Sequence, residues 1–146
     1  MAKKRLYDED VKNVIKNVAV YSRKSKYTGK GESIGNQIEE CRGYLRYNYP
    51  EEYENMNIVE FEDEGYSGGN INRPQFQEML KDIKNRKFDT VICYRLDRIS
   101  RNTADFSSLI KLFEKLDVTF ISTKDKFDTN TSTGKAMMLM VSVLHN

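Results

Sequence analysis

Short apolar runs alternate with stretches of helical periodicity four times along this 146-residue chain, and no other feature constrains the fold as tightly. A short apolar run is typical of a buried strand, whereas apolar residues three and four positions apart are typical of an amphipathic helix. The strand–helix order predicts right-handed crossovers between parallel strands. We therefore predict an α/β fold with a mainly parallel, four- to five-stranded sheet covered by helices on both faces. The predicted strands span residues 18–21, 56–61, 90–94 and 118–122, each followed by a helix.

Two of the predicted helices carry recognisable start signals. Ser33 has the side chain of a helix N-cap and precedes an apolar stripe that runs from Ile34 to Leu45. Pro74 lies where a first helical turn tolerates its missing N–H. The last helix, predicted from residue 134 to residue 144, is rich in methionine and has no C-cap signal.

The few histidines and cysteines exclude several kinds of site. The one histidine is His145, so a Ser-His-Asp triad or a two-His metal site would depend on that residue alone. Cys41 and Cys93 stand far apart without a Cys-x-x-Cys pair, which excludes a zinc knuckle within this segment. Both are predicted to be small buried residues in a reducing compartment. The longest apolar run, residues 136–141, is far shorter than the ~20 residues of a membrane helix.

The charge is nearly balanced overall but unevenly distributed. The formal net charge is +2, yet residues 51–64 contain seven acids and no bases, while residues 84–101 contain six bases and two acids. An anionic ligand is therefore expected to meet a local basic patch rather than a uniformly basic surface.

Polar residues collect directly after the first three predicted strands. Ligands of open α/β sheets bind beyond the carboxyl ends of the strands, so these residues are the candidates for a site. Guanidinium groups fork onto phosphate oxygens and repel one another unless an anion joins them, so the cluster predicts an anion site. Its members are Arg23, Ser25, Asp63, Arg73, Asp97, Arg98 and Arg101.

Simpler interpretations of these residues exist. Each arginine could pair with a nearby surface carboxylate, although such pairs would not explain a collection after three separate strands. A glycine-containing loop at 29–33 precedes a helix but lacks the third glycine of a dinucleotide fingerprint. The Gly-Lys-Ala at 134–136 lacks both the upstream glycine and the hydroxyl of a Walker A loop, and we reject it as a phosphate site.

Three motifs in chain order resemble the catalytic domain of the serine recombinases, the resolvase/invertase family. The first is Tyr-Ser-Arg-Lys-Ser at 21–25, followed by the helix start Ser-Ile-Gly-Asn-Gln at 33–37. The second is Asp-Glu-Gly-Tyr-Ser-Gly at 63–68 with Arg-Pro at 73–74, which resembles the large serine recombinases and transposases of mobile elements in particular. The third and most specific is Leu-Asp-Arg-Ile-Ser-Arg-Asn-Thr at 96–103.

This resemblance implies that Ser25 is a nucleophile which attacks a DNA phosphodiester, forms a 5′-phosphoserine bond and releases a 3′-hydroxyl. Reversal of the step after strand exchange would reseal the DNA, with no cofactor or metal. The arginines would stabilise charge on the phosphate, and Asp97 would either orient them or help to move the proton. The group that deprotonates Ser25 stays open. The implied catalytic residues are Ser25, Arg23, Arg73, Arg98, Arg101 and Asp97, and the implied supporting residues are Tyr21, Gln37, Asp63 and Ser67.

The resemblance also implies a domain organisation and partners. Residues 1–16 are expected to be an N-terminal extension, and residues 17–146 a catalytic domain truncated at the start of the long C-terminal dimerisation helix. The partners implied are double-stranded DNA and further copies of the chain, as a dimer and, in the full-length protein, a synaptic tetramer. The location implied is the bacterial cytoplasm, in association with the nucleoid, with no membrane contact. The isolated fragment is expected to be weakly active or inactive.

Two other function classes remain as alternatives. An α/β module that binds phosphate-bearing ligands without catalysis would use Ser25 for a hydrogen bond rather than a covalent link. A metal-dependent nuclease would need clustered carboxylates, for which Glu60 and Glu62, on one face of the second strand, are the candidates. Activity in the presence of a chelator separates this nuclease from a recombinase.

Overall fold

The computed structural model describes residues 13–24, 33–64, 73–99 and 103–144, which contain one five-stranded sheet. The strands are β1 (Asn17–Lys24), β2 (Asn57–Glu64), β3 (Thr90–Cys93), β4 (Thr119–Ser122) and β5 (Phe127–Asp128). Their order across the sheet is β2-β1-β3-β4-β5. The first four strands are mutually parallel, and the fifth pairs antiparallel to β4. This architecture confirms the predicted mainly parallel, four- to five-stranded sheet.

Helices cover both faces of the sheet, as predicted. The helices are α1 (Ile34–Asn48), α2 (Pro50–Tyr53), α3 (Pro74–Lys84), α4 (Leu96–Ile99), α5 (Thr103–Leu116) and α6 (Ser132–Leu144). Alternate residues of β1 point to opposite faces, so that Val18 and Val20 pack with α1 and α2 while Ala19 and Tyr21 pack with α3, α5 and α6. None of the helices in the described ranges is both long and apolar enough to cross a membrane.

The two predicted helix starts are confirmed. The Ser33 hydroxyl oxygen accepts a hydrogen bond from the Asn36 backbone N–H at 3.1 Å, as an N-cap does at the start of a helix. Pro74 is the first residue of α3, where no intrahelical partner for its nitrogen is needed.

The structure differs from the sequence prediction at the strand ends and in two short elements. Strands β1 and β2 each run three residues beyond the apolar run, because their polar ends stay paired in register, with Arg23 opposite Asp63. A separate one-turn helix, α4, precedes the predicted helix after β3. Strand β5 has only two residues, too few for a periodic signal.

Both cysteines are buried and free, as predicted, and we expect them to resist alkylation in the folded protein. Burial raises the pKa of the Cys41 thiol to about 12 and also raises the pKa of the Cys93 thiol. Since the thiolate is the reactive form, the thiolate fraction of Cys41 at pH 8 falls from about one-tenth to about one ten-thousandth. Iodoacetamide at pH 8 should leave both thiols unmodified in buffer and modify both in urea, as counted by mass spectrometry. Modification of either in buffer at its rate in urea would contradict the burial.

Candidate active site

Side chains from three strand ends and two helix starts meet at one edge of the sheet. The ends of β1 and β2 contribute Tyr21, Arg23 and Asp63, and the segment after β3 forms α4. Arg73 is the residue that immediately precedes α3. The carboxyl ends of parallel strands lie at the same edge, which is why residues distant in sequence come together here.

Asp63 joins β2 to the start of α3. Its carboxylate accepts hydrogen bonds from the backbone N–H groups of Gln75 and Phe76, both at 3.0 Å, and from the Tyr21 hydroxyl at 2.8 Å. The first N–H groups of a helix have no partner within the helix and carry partial positive charge, so a carboxylate is favoured there. Asp63 is only 2% exposed, and these three donors stabilise its buried charge.

Arg73 is fully buried, and its guanidinium binds atoms of β1 and α4. Its Nη1 donates to the Tyr21 hydroxyl at 3.1 Å and to the Arg98 carbonyl at 2.7 Å, and its Nη2 donates to the Ile99 carbonyl at 2.6 Å. The guanidinium carbon also lies 4.3 Å from the centre of the Phe76 ring. Arg73 therefore ties α4 to β1 and to the start of α3.

Tyr21 connects the buried arginine and the buried aspartate. Burial raises the pKa of Tyr21, and this outweighs the opposing effect of the positive charge on Arg73. Burial lowers the pKa of Arg73, because it disfavours the charged form of an arginine, although Tyr21 and Asp63 act in the opposite direction. An arginine nevertheless stays charged in proteins, and a protonated tyrosine can donate to Asp63 while it accepts from Arg73.

Arg23 is the last but one residue of β1 and stands two positions before Ser25 in sequence. Its backbone N–H donates to Gln37 Oε1 at 3.3 Å, and its carbonyl accepts from Gln37 Nε2 at 3.1 Å. Its own Nη2 donates to the Asp97 carbonyl at 3.3 Å. Gln37 lies on α1, on the opposite face of the sheet from α4, so this strand end is fixed from both sides.

Helix α4 and Arg95, the residue before it, carry the most accessible charges of the described site. Arg98 Nη1 lies 3.3 Å from one carboxylate oxygen of Asp97, and Arg95 Nη2 lies 3.5 Å from the other. The side chain of Asp97 is 38% exposed, whereas that of Arg98 is 13% exposed. Arg98 Nε is buried and has no hydrogen-bond partner among the described residues.

The structure brings together most, but not all, of the residues predicted from the sequence. Ser25, Ser67 and Arg101 lie outside the described residues. Two kinds of contact were missed by sequence reasoning. Arg73 binds backbone carbonyls, and the Oδ2 of Asp125 accepts from the Leu96 N–H at 2.8 Å. Asp125 stands in a Lys-Asp-Lys turn, a pattern with no signal beyond a solvated surface. The residues brought together are Tyr21, Arg23, Gln37, Asp63, Arg73, Asp97 and Arg98.

The simpler interpretation of the arginines, as members of surface ion pairs, holds for Arg42. Arg42, on α1, binds Glu60 of the edge strand β2 at 2.7 Å, where both side chains are about one-third exposed. Arg73, in contrast, binds a tyrosine and two carbonyls, which is not how a surface arginine is satisfied. In the parts of the chain that the structure describes, no three acidic, histidine or cysteine side chains gather as metal ligands would, around Glu60 and Glu62 or elsewhere.

Comparison with known proteins finds a matching family and relatives that are all named as resolvases or recombinases. The model of the resolvase N-terminal domain family matches residues 18–146. The Tn917 transposon resolvase of Enterococcus faecalis is 42% identical over 81 residues, which are 56% of this chain and 43% of that protein. A putative DNA recombinase of Bacillus subtilis is 33% identical over 86 residues, which are 58% of this chain and 16% of that protein. The chain thus spans less than half the length of these two relatives.

Two solved structures share both the fold and part of the sequence. The N-terminal catalytic domain of TP901-1 integrase matches with a TM-score of 0.74 and 33% identity, covering 88% of this chain and 93% of that one. A resolvase family site-specific recombinase from Streptococcus pneumoniae matches with a TM-score of 0.67 and 31% identity, covering 88% of this chain and 85% of that one. These matches confirm the resemblance seen in the three sequence motifs, and the chain belongs to the resolvase family of serine recombinases.

Proposed function

We propose that this chain performs the DNA cleavage and rejoining steps of site-specific recombination, with Ser25 as the nucleophile. The Ser25 oxygen attacks the phosphorus of a phosphodiester, a phosphoserine bond to the 5′ end forms, and the bond to the 3′ oxygen breaks. The serine gives up its proton and the 3′ oxygen takes one up, so that a 3′-hydroxyl leaves. Attack by a 3′-hydroxyl on the phosphoserine reverses the step and restores Ser25.

The observation that carries this proposal is the convergence of charged groups at the end of β1, the strand that Ser25 follows in sequence. Arg23 precedes Ser25 by two residues in sequence; its backbone is fixed by Gln37 and its side chain reaches the Asp97 carbonyl of α4. Arg98, also on α4, has a buried Nε without a partner among the described residues. Phosphoryl transfer depends mainly on positioning and on stabilising charge at the phosphate oxygens. We assign that stabilisation to Arg23 and Arg98, together with Arg101.

Arg73 and the two aspartates have different roles in this proposal. Both terminal nitrogens of Arg73 bind protein atoms, which supports a role in holding α4 rather than in touching the phosphate. Asp63 binds Tyr21 and the start of α3, which supports a similar role. Asp97 contacts Arg95 and Arg98, and this favours orientation of the arginines over proton transfer.

Double-stranded DNA and further copies of the chain are the proposed partners. Two related proteins are described as a transposon resolvase and an integrase, which supports excision or integration of a mobile element as the setting. Helix α6 exposes Met137, Leu139 and Met140 by 43%, 45% and 61%, and an apolar surface of this kind favours self-association. A DNA substrate would place the protein in the bacterial cytoplasm, at the nucleoid.

The decisive experiment is a search for a covalent protein–DNA adduct. The full-length protein is mixed with DNA that carries the ends of its mobile element, in excess chelator, and the reaction is stopped with denaturant. We expect an adduct that survives denaturation and is absent from Ser25→Ala, because alanine has no oxygen to bond to phosphorus.

A neighbouring serine supplies the matched control. Ser22 lies on β1, three positions before Ser25 in sequence, and is buried, and its hydroxyl has no hydrogen-bond partner among the described residues. Ser22→Ala should therefore form the adduct as the wild type does. An adduct that persists in Ser25→Ala would move the nucleophile elsewhere. Cleavage that stops in chelator would favour the metal-dependent nuclease.

A further inference from the structure

The turn between β4 and β5 folds back onto the segment that leads into α4. The backbone N–H of Thr123 donates to the Cys93 carbonyl at 3.0 Å, and that of Lys124 donates to the Tyr94 carbonyl at 2.8 Å. The Thr123 hydroxyl donates to the Tyr94 carbonyl at 3.3 Å. The turn therefore holds the chain between the end of β3 and the start of α4.

Asp125, in the same turn, binds the start of α4 itself. Its Oδ2 accepts from the Leu96 backbone N–H at 2.8 Å and from the Ser122 hydroxyl at 2.7 Å. Ser122 is fully buried, so its hydroxyl fixes the direction in which the Asp125 carboxylate points. Leu96 is the first residue of α4, and its N–H is one of the helix N–H groups that need a partner from outside the helix.

Helix α4 depends on such outside contacts for its conformation. It is one turn long, and isolated helices of this length are unstable in water. At its other end, Arg73 donates to the carbonyls of Arg98 and Ile99. The helix is thus held at its start by Asp125 and at its end by Arg73, with Asp97 and Arg98 between the two.

We propose that Asp125, aligned by Ser122, is a positioning residue that sets the orientation of α4 and thereby of Asp97 and Arg98 at the phosphate. This inference rests on the proposed function, in which Arg98 stabilises the phosphate charge. Asp125 lies in an exposed turn, so loss of its carboxylate leaves no buried charge without a partner. Its removal should therefore disturb the reaction more than the fold.

The test compares chemistry, binding and stability in the full-length protein. The single-turnover rate of adduct formation is measured with excess protein on DNA carrying the element ends, together with the affinity for that DNA and the urea midpoint. Asp125→Ala should slow adduct formation by about 10- to 100-fold, the effect of a small misplacement of a catalytic group. The DNA affinity should stay close to that of the wild type, and the urea midpoint should fall only slightly, because the Leu96 N–H and the buried Ser122 hydroxyl lose an acceptor.

Rescue by a conservative variant distinguishes positioning from charge. Asp125→Asn keeps an oxygen that can accept from Leu96 and Ser122, and should restore most of the rate. Ser122→Ala should slow the reaction less than Asp125→Ala, since the contact to Leu96 remains. Glu78→Ala, which removes one exposed negative charge from α3, controls for net charge and should react as the wild type does.

The outcomes separate this inference from the proposed function. A wild-type rate in Asp125→Ala, or equal loss in Asp125→Asn and Asp125→Ala, would overturn the positioning role while the wild-type adduct still supports the recombinase. A parallel loss of DNA affinity in Asp125→Ala would also overturn it, because the residue would then act in binding. Absence of an adduct in the wild type would overturn both.

Discussion

Replacement of Arg73 by methionine is expected to lower the free energy of unfolding by about 3–5 kcal/mol, the cost of breaking a buried charged network from one side. Methionine retains the apolar stem of arginine but none of its donors. The carbonyls of Arg98 and Ile99 lose their donor, and the Tyr21 hydroxyl loses the partner from which it accepts. The buried carboxylate of Asp63 also loses the positive charge of the arginine with which it shares the Tyr21 hydroxyl. Urea unfolding of the domain, followed by circular dichroism, measures the change.

Two further substitutions test whether burial is the reason. Arg42→Met removes an arginine that pairs with Glu60 on the surface, and should cost less than about 1 kcal/mol. Arg73→Lys keeps the charge, but a single ammonium cannot reproduce the forked geometry that reaches a hydroxyl and two carbonyls, so it should fall between the wild type and Arg73→Met. Equal stabilities of Arg73→Met and Arg42→Met would show that the buried network does not stabilise the fold.

Most of the sheet and its helices follow from local sequence signals. The apolar run at 18–21 lies in β1, the run at 118–122 contains β4 and the one residue before it, and Ser33 and Pro74 begin their helices as predicted. These signals are local, because the alternation of buried residues along a strand and the capping of a helix end each depend on residues only a few positions apart. Strand β5 and helix α4 are too short for any periodicity, and they form because distant groups bind them.

The site was only partly accessible to sequence reasoning for a related physical reason. The rule that ligands bind beyond the carboxyl ends of strands correctly predicted that one edge of the sheet carries Arg23, Asp63, Arg73 and Arg98. It gave no information on where each guanidinium points. Arg73 binds backbone carbonyls 25 and 26 positions further along the chain, and every residue type has such carbonyls. The side-chain sequence therefore cannot distinguish an arginine that holds a helix from one that faces a phosphate.

Substitution of Gly134 by alanine is expected to be strongly destabilising, by about 3 kcal/mol, at the upper end of the usual cost of overpacking. Gly134 lies in the first turn of α6, and a Cβ added there would be 1.8 Å from the Asp128 carbonyl oxygen. That backbone cannot easily give way, since the Asp128 carboxylate accepts from the hydroxyls of Tyr44 and Tyr49 at 2.6 and 2.9 Å. Helix α6 would instead be displaced, together with Met138, which is 3% exposed in the core.

The contrast with a second helical glycine isolates this close approach from helix propensity. Alanine is favoured over glycine inside a helix by about 1 kcal/mol, so a glycine with free space around it should gain from the same change. Gly43, in the middle of α1, meets only the end of the flexible Arg46 side chain at 3.7 Å, and Gly43→Ala should therefore raise the urea midpoint. Gly134→Ala should lower it, so the two variants shift in opposite directions although the chemical change is identical. If both variants were stabilised, α6 would not approach β5 as closely as the fold requires, and Gly134 would have no structural reason to be glycine.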